Sequence, residues 1–314
     1  MNKRILGIGN AIVDVFAKVE DDFLIKRNFI KGSMKLINKS EFEDLKKNIK
    51  IEKVVAGGSV ANTMSGIAHL KGNASFIGKI NSDNFGELYK KSLEDINVKF
   101  PYVQKNENFS TGASIILITP DSERTMCTYL GISSHLSEND INENNVINNE
   151  LIFLEGYLWD KGISEKMFKH VIDIAKKNKV KIAMSLSDIF CVTRHREDFY
   201  NLLKNDLDML IGNENEINQL TNKKNLLESI NHLKELKKLI IVTRSENGSL
   251  AIKDNEITNC DSIKVSKILD LTGAGDLFAA GFLKEYLENS EIKKCLITGS
   301  ILASKIIQKI GARL

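Results

Sequence analysis

The sequence predicts an α/β chain: a mainly parallel central sheet with helices on both faces, and a small β-sheet lid. Two observations predict the body. Short, mostly apolar runs at 151–155, 180–184, 208–212 and 239–243 are separated by amphipathic segments near 164–177, 196–203 and 226–236. Strands apolar along their whole length are buried on both faces, which requires helices above and below a parallel sheet. A third observation predicts the lid: two excursions, at 12–37 and 112–129, alternate apolar and polar residues in places.

In chain order, Arg4 to Gly9 reads as a buried strand ending in a glycine turn. Gly7 and Gly9 begin a dinucleotide fingerprint, but position 12 is Ile12, so the third glycine is missing and a Rossmann cofactor site is not predicted. A short helix at 21–28, opened by Asp21 and Asp22, separates the alternating stretches of the first excursion. Ser59 reads as the N-cap of a helix whose apolar face is Val60, Met64, Ile67 and Ala68. A strand at 74–78 and a helix at 84–94 follow. The second excursion is a hairpin turning at Pro120, Asp121 and Ser122. After Gly275 the chain is apolar nearly all round through Leu277, Phe278, Ala280, Phe282 and Leu283, which predicts a buried helix. The expected division is a body of residues 1–12, 44–110 and 131–314 and a lid of residues 13–43 and 111–130.

Composition narrows the class. The 314 residues are 42% hydrophobic and 27% charged with a net charge of +3, values ordinary for a globular protein. No basic stripe with interleaved aromatics is present, so no nucleic acid partner is expected. No signal peptide or membrane-length apolar run is read, and a cytoplasmic location is expected. The cysteines Cys127, Cys191, Cys260 and Cys295 lie far apart without a CxxC pair, which argues against a zinc site or disulfide framework. No histidine stands at metal-ligand spacing from another.

The segment Asp270 to Asp276 carries the strongest chemical signal. Gly273, Ala274 and Gly275 sit where a loop becomes a helix, and a helix N-terminus offers unpaired N–H groups and a partial positive charge. Glycines let an anion approach those groups closely. Asp276 places a carboxylate at the same spot, a pairing suited to phosphoryl transfer: the carboxylate takes a proton from an attacking hydroxyl while the N–H groups stabilise charge. By itself the segment reads equally as a helix start with Asp in its first turn.

Other polar residues fall just after strands, where ligands bind in parallel sheets. Asn213 and Glu216 are one helical turn apart, a set suited to a mostly hydrated Mg²⁺, although alone they read first as an N-cap with acidic first-turn residues. Thr243 to Gly248 reads equally as a nucleotide contact or a strand-to-strand turn. Asp14, Gly57, Gly58 and Asn62 offer the donors and acceptors that polyol hydroxyls need. Arg124, just beyond the hairpin turn, is a loop cation able to reach a phosphate. No GxxxxGK[ST] loop is present, so a kinase here is not of the P-loop class.

Together these motifs resemble the ribokinase-like (PfkB) family of carbohydrate and nucleoside kinases over essentially the whole chain. Asp270 with Gly273, Ala274, Gly275 and Asp276 resembles its D-x-x-G-A-G-D signature, and Gly57, Gly58 and Asn62 its G-G-x-x-x-N segment. Gly78-Lys79 with Phe85-Gly86 resembles the continuation of that segment, and Asn213 with Glu216 its N-x-x-E motif. The resemblance implies an ATP- and Mg²⁺-dependent kinase with Asp276 as catalytic base and Gly273 to Gly275 as anion hole. It further implies phosphate or nucleotide contacts from Asn213, Thr243, Gly248 and Arg124, and Mg²⁺ held through water by Glu216. A monovalent cation such as K⁺ near 270–272 and Gly311 belongs to the same implication. Within the family, residues 8–14, 23–36 and 120–126 resemble the adenosine-kinase-like branch. This implies that Asp14 and Asn62 bind ribose or sugar hydroxyls and that Leu36, Met126, Leu130 and Tyr157 line an apolar base pocket. The expected acceptor is adenosine, with a free sugar such as ribose or fructose as alternative and a non-catalytic binding protein as a second one. Two departures stand out: Ser245 occupies a position where the family commonly has glycine, and Met34 has no group with which to read a base edge. An open lid edge makes a homodimer through the lid an expectation as well.

Overall fold

The computed structural model describes residues 3–104, 106–121, 123–160 and 164–314. Ser122 of the expected hairpin turn lies outside them. Strand β1 (Arg4–Ile8) ends at the Gly9 turn, and β2 (Ile12–Lys18) leaves for a second sheet. Helix α1 (Asp21–Lys26), β3 (Met34–Leu36), α2 (Lys39–Lys47) and β4 (Ile51–Ala56) follow. The chain then returns through α3 (Ser59–His69), β5 (Asn73–Ile77) and α4 (Asn84–Glu94). The hairpin is β6 (Gly112–Ile118) and β7 (Arg124–Tyr129). After α5 (Glu143–Ile147) come β8 (Leu151–Glu155), α6 (Ser164–Lys177), β9 (Lys181–Ser185) and α7 (Ile189–Asn205). Strand β10 (Met209–Asn213), α8 (Glu214–Thr221), α9 (Leu226–Lys234) and β11 (Leu239–Thr243) continue the alternation. An antiparallel pair, β12 (Ser249–Lys253) and β13 (Glu256–Cys260), precedes α10 (Ala274–Leu287) and α11 (Ile292–Ile306).

Among the described residues the main sheet has eight strands in the order β13-β12-β11-β10-β9-β8-β1-β5, parallel from β11 to β5. Side chains alternate between its faces, as a strand requires. Ile5, Leu151 and Phe153 join the apolar cluster that holds Met64, Leu277 and Phe282. Leu6, Ile152 and Leu154 join the opposite cluster with Phe168, Phe199 and Ile217. That two-sided burial is why these strands read as continuous apolar runs. Helix α10 is buried between α3 and α11, and Gly66 lets α3 approach it closely: a Cβ there would lie 2.6 Å from that of Ala280. Full burial of Leu277, Phe282 and Leu283, each worth about 1.5–3 kcal/mol, holds its N-terminus firmly in place.

The smaller sheet has the order β3-β7-β6-β2-β4. Ile51–Ala56, which falls in the range expected for the body, is its edge strand, antiparallel to β2. The sequence hid it because its first three residues are exposed, so no apolar run marks it. One face buries Val13, Val15, Ile115, Leu117 and Cys127 against Phe42 and Leu45 of α2. Register puts Asp14 beside Ser114 and Thr128, and Phe16 beside Ile116 and Met126, on the other face. No helix among the described residues is long and apolar enough to cross a membrane.

Candidate active site

Helix α10 begins where the sequence placed a helix start. Gly273, its N-cap, has φ +79°, and Leu277 N–H donates to Gly273 O at 2.8 Å. Ala274 N–H donates to Leu271 O at 3.2 Å, so that group of the expected anion hole is turned into the chain. No hydrogen bond is formed by the N–H groups of Gly273, Gly275 and Asp276 among the described residues. A Cβ built on Gly275 would meet nothing within 4 Å, so an anion can approach there. The donor set fits a phosphoryl group.

The Asp276 carboxylate is held from α3. Ser59 Oγ donates to its Oδ1 at 2.7 Å and Asn62 Nδ2 to its Oδ2 at 3.0 Å. Burial raises the Asp276 pKa to about 6, against these two hydrogen bonds and the positive charge of Arg313. Ser59 was expected to cap α3; the cap residue is Gly58, with φ +87° and no side-chain bond. The N–H of Val60 is met instead by Glu155 Oε2 at 3.2 Å. With Gly58 as the cap, which has no side chain to offer, the Glu155 carboxylate serves the second N–H of the helix, and Ser59 at the first helical position turns its hydroxyl to Asp276.

Glu155, at the end of β8, is 1% exposed and also accepts from Asn10 N–H at 2.7 Å. It thus ties the turn after β1 to the start of α3. Burial raises its pKa to about 7 despite those backbone donors. Asp14 projects from β2 against Gly57, where a Cβ would lie 2.3 Å from Asp14 Oδ2. Burial raises the Asp14 carboxyl to about 7, opposed by Arg313 and reinforced by Asp276. Asn62 Oδ1 accepts from Arg313 Nε at 2.9 Å, and Arg313 Nη2 donates to Gly57 O at 3.0 Å. Asn62 thus contacts both Asp276 and Arg313, and Arg313 links it to the Gly57 carbonyl beside Asp14. Ser59, Glu155 and Arg313 were missed. Glu155 carried a signal, being polar at a strand's carboxyl end; Arg313 carried none.

Asn213 and Thr243 are register partners at the ends of β10 and β11. Asn213 and Glu216 form a capping box: Glu216 N–H donates to Asn213 Oδ1 at 2.9 Å and Asn213 N–H to Glu216 Oε2 at 3.0 Å. The pair is an N-cap with an acidic residue in the first turn, and burial raises Glu216 to about 7. No group of three or more His, Cys, Asp or Glu among the described residues is arranged to hold a metal ion. Thr243 to Gly248 is a tight turn in which Arg244 N–H donates to Gly248 O at 2.8 Å. Ser245 has φ +49°, the conformation that glycine adopts without cost. Lys79, from the other glycine motif, is buried against Glu107 at 3.1 Å and Asp140 at 3.2 Å.

Arg124 joins the smaller sheet to the turn that precedes α10. Its guanidinium pairs with Asp270 Oδ2 at 2.8 Å and donates to Thr272 Oγ1 at 2.9 Å. Asp270 also accepts from Gly311 N–H at 2.7 Å, so its carboxylate is met by one guanidinium and by backbone donors in the segment expected to hold a monovalent cation. Leu36 and Met126 are 37% and 36% exposed, on adjacent lid strands. Leu130, half-buried, follows β7. Tyr157 lies in the turn after β8, its hydroxyl donating to Ser187 O at 3.4 Å.

A parallel sheet with a smaller second sheet and a carboxylate at an open helix N-terminus is an arrangement that suits a phosphotransferase acting on alcohol groups. The chain belongs to the pfkB family of carbohydrate kinases, whose model matches residues 27–314. It is similar to the adenosine kinase of Sinorhizobium meliloti, at 34% identity and TM-score 0.94, covering 100% of this chain and 96% of that one. A probable sugar kinase of Rhizobium etli CFN 42 is similar at 33% identity and TM-score 0.93, covering 99% and 95%. The 5-dehydro-2-deoxygluconokinase of Bacillus subtilis is 26% identical over 264 residues, 81% of each chain. Membership of this kinase family implies ATP as phosphate donor.

Proposed function

We propose that the protein transfers the γ-phosphate of ATP to the primary 5'-hydroxyl of a nucleoside, adenosine in the first instance. The observation that carries this reading is Asp276, held by Ser59 and Asn62 beside three unpaired N–H groups and within electrostatic reach of Asp14. Asp276 takes the proton of the attacking hydroxyl, and the N–H groups of Gly273, Gly275 and Asp276 stabilise the phosphoryl oxygens. Asp14 and Asn62 orient the acceptor's other hydroxyls, and the closed lid excludes water. Thr243 and Gly248 border the nucleotide, and Arg124 is placed to move from Asp270 to a phosphate. Mg²⁺ neutralises phosphate charge when bound, and Asn213 and Glu216 would hold it through water.

Adenosine is supported by the 34% identity to the Sinorhizobium enzyme and by Met126, an exposed apolar lid residue able to cover a flat base. A free sugar is the second reading, supported by the sugar kinases among the similar proteins. ADP release measured against nucleosides, ribose, fructose and 5-dehydro-2-deoxygluconate decides between them. Adenosine is expected to give the highest kcat/KM; a sugar turned over at least ten times more efficiently overturns the nucleoside assignment.

A further inference from the structure

Arg313 enters the site from beyond α11. Arg313 reaches three separate elements: Nε donates to Asn62 Oδ1 at 2.9 Å, Nη2 to Gly57 O at 3.0 Å and Nη1 to Ser92 Oγ at 3.3 Å. The tail that delivers it is fastened to the anion turn, through Gly311 N–H on Asp270 Oδ2 and through Ala312 packed on Gly273. We infer that Arg313 is a positioning residue that fixes the Asn62 amide so that its NH₂ group is committed to Asp276.

A guanidinium has donors and no acceptor. Facing it, Asn62 can present only its carbonyl oxygen, because the flipped amide would set donor against donor. The opposite end of a planar amide is then the NH₂ group, which lies 3.0 Å from Asp276 Oδ2. Asn62 is 4% exposed, so water does not offer its oxygen an alternative partner. Without Arg313 that oxygen would be a buried acceptor lacking its donor, and the amide would lose its preferred orientation.

The charged groups around Asp276 add a second effect. Arg313 is a cation acting on both Asp276 and Asp14; Arg124 of the lid also acts on Asp14. The other titratable groups that interact with Asp276, namely Asp14, Glu155 and Tyr157, are acids; Tyr89 and Asp270 are further acids facing Asp14, and Tyr89 also faces Arg313. Removing Arg313 therefore leaves Asp276 harder to ionise, and ionised Asp276 is the form that accepts a proton. The C-terminal tail acts on the base through α3 and through its charge.

The inference rests on reading Asp276 as the base, and its test is made without an acceptor. In the isotope-labelled protein the Asp276 carboxyl signal is identified by its loss in Asp276→Asn and titrated by NMR. Arg313→Met is expected to raise its midpoint by roughly one pH unit. The Asn62 side-chain amide protons should exchange with water about ten-fold faster or more. Arg313→Lys keeps the charge but not the fork, so it should show the faster exchange with a midpoint near the original. Lys309→Ala, exposed on the same tail, should change neither. A folded Arg313→Met protein with unchanged midpoint and exchange overturns the inference. Should that variant not fold, Arg313→Lys decides, and amide exchange as slow as the parent overturns it. Failure to find any phosphorylated acceptor would count against the proposed function alone. Once an acceptor is known, kcat should fall further than KM rises in both Arg313 variants.

Discussion

Ser59 Oγ and Asp276 Oδ1 lie 2.7 Å apart although 217 residues separate them in the chain. The hydroxyl donates, so the bond favours the ionised carboxylate and holds its pKa down against burial. Ser59→Ala should therefore raise the Asp276 pKa above about 6 and move the acid limb of the pH–rate profile to higher pH. Turnover at pH 6.5 should fall roughly ten-fold, with most of it recovered near pH 8.5. A profile that drops equally at every pH would show that Ser59 does not act through ionisation.

Asp276→Asn keeps the shape of the side chain and removes the base. It should lower kcat by about 10²–10⁴-fold with an unchanged circular dichroism spectrum. A variant retaining near-full kcat would sink the assignment of Asp276.

Gly275 is the position where a methyl group separates folding from function. Its φ is not in the left-handed region and a Cβ would meet nothing within 4 Å. Gly275→Ala should thus leave stability unchanged or raise it by about 0.4–1 kcal/mol. The same methyl would stand before the unpaired N–H groups, and kcat/KM should fall at least about ten-fold. Thermal unfolding and steady-state kinetics on one preparation check both parts; full activity would exclude an anion hole at this turn.

Arg124 is the lid's ion pair to Asp270, whose side chain is 1% exposed. Arg124→Ala should release the lid and leave that buried carboxylate with its backbone donors only. Amide exchange in β7 and in residues 270–276 should accelerate, and KM for ATP should rise severalfold. Unchanged exchange in both segments would show that the pair does not hold the lid.

Four carboxyl groups have folded pKa values above their usual range of about 4: Asp14, Glu155 and Glu216 near 7, and Asp276 near 6. Between pH 4 and 7 the folded protein binds more protons at these sites than the unfolded chain does, so they make stability fall as pH rises. The protein without ligands should melt at a higher temperature at pH 5.5 than at pH 8. The lowered pKa of Asp121, about 2, acts at more acid pH than this window. Glu155→Gln should flatten the trend, because the amide has no proton to lose. A melting temperature that climbs from pH 5.5 to 8 would contradict the assignment.

Residue type and spacing determined much of this protein. Two-sided apolar runs imply a parallel sheet, and residues 270–276 imply an open helix N-terminus bearing a carboxylate. The tight spacing of Gly57, Gly58 and Asn62 marks a second polar turn. These are local properties, set by side chains within a few residues of one another. The partners of Asp276 are different in kind. Ser59 reaches Asp276 because α3 packs against α10, and Glu155 arrives from β8 to meet the Val60 N–H that Gly58 cannot cap. Strand β4 joins the lid because β2 offers it a free edge, and no periodicity announces that choice. Arg313 enters the site because Gly311 and Ala312 dock on the turn that carries the carboxylate. Contacts between residues so far apart are decided by burial and unpaired donors, which exist only once the chain has packed.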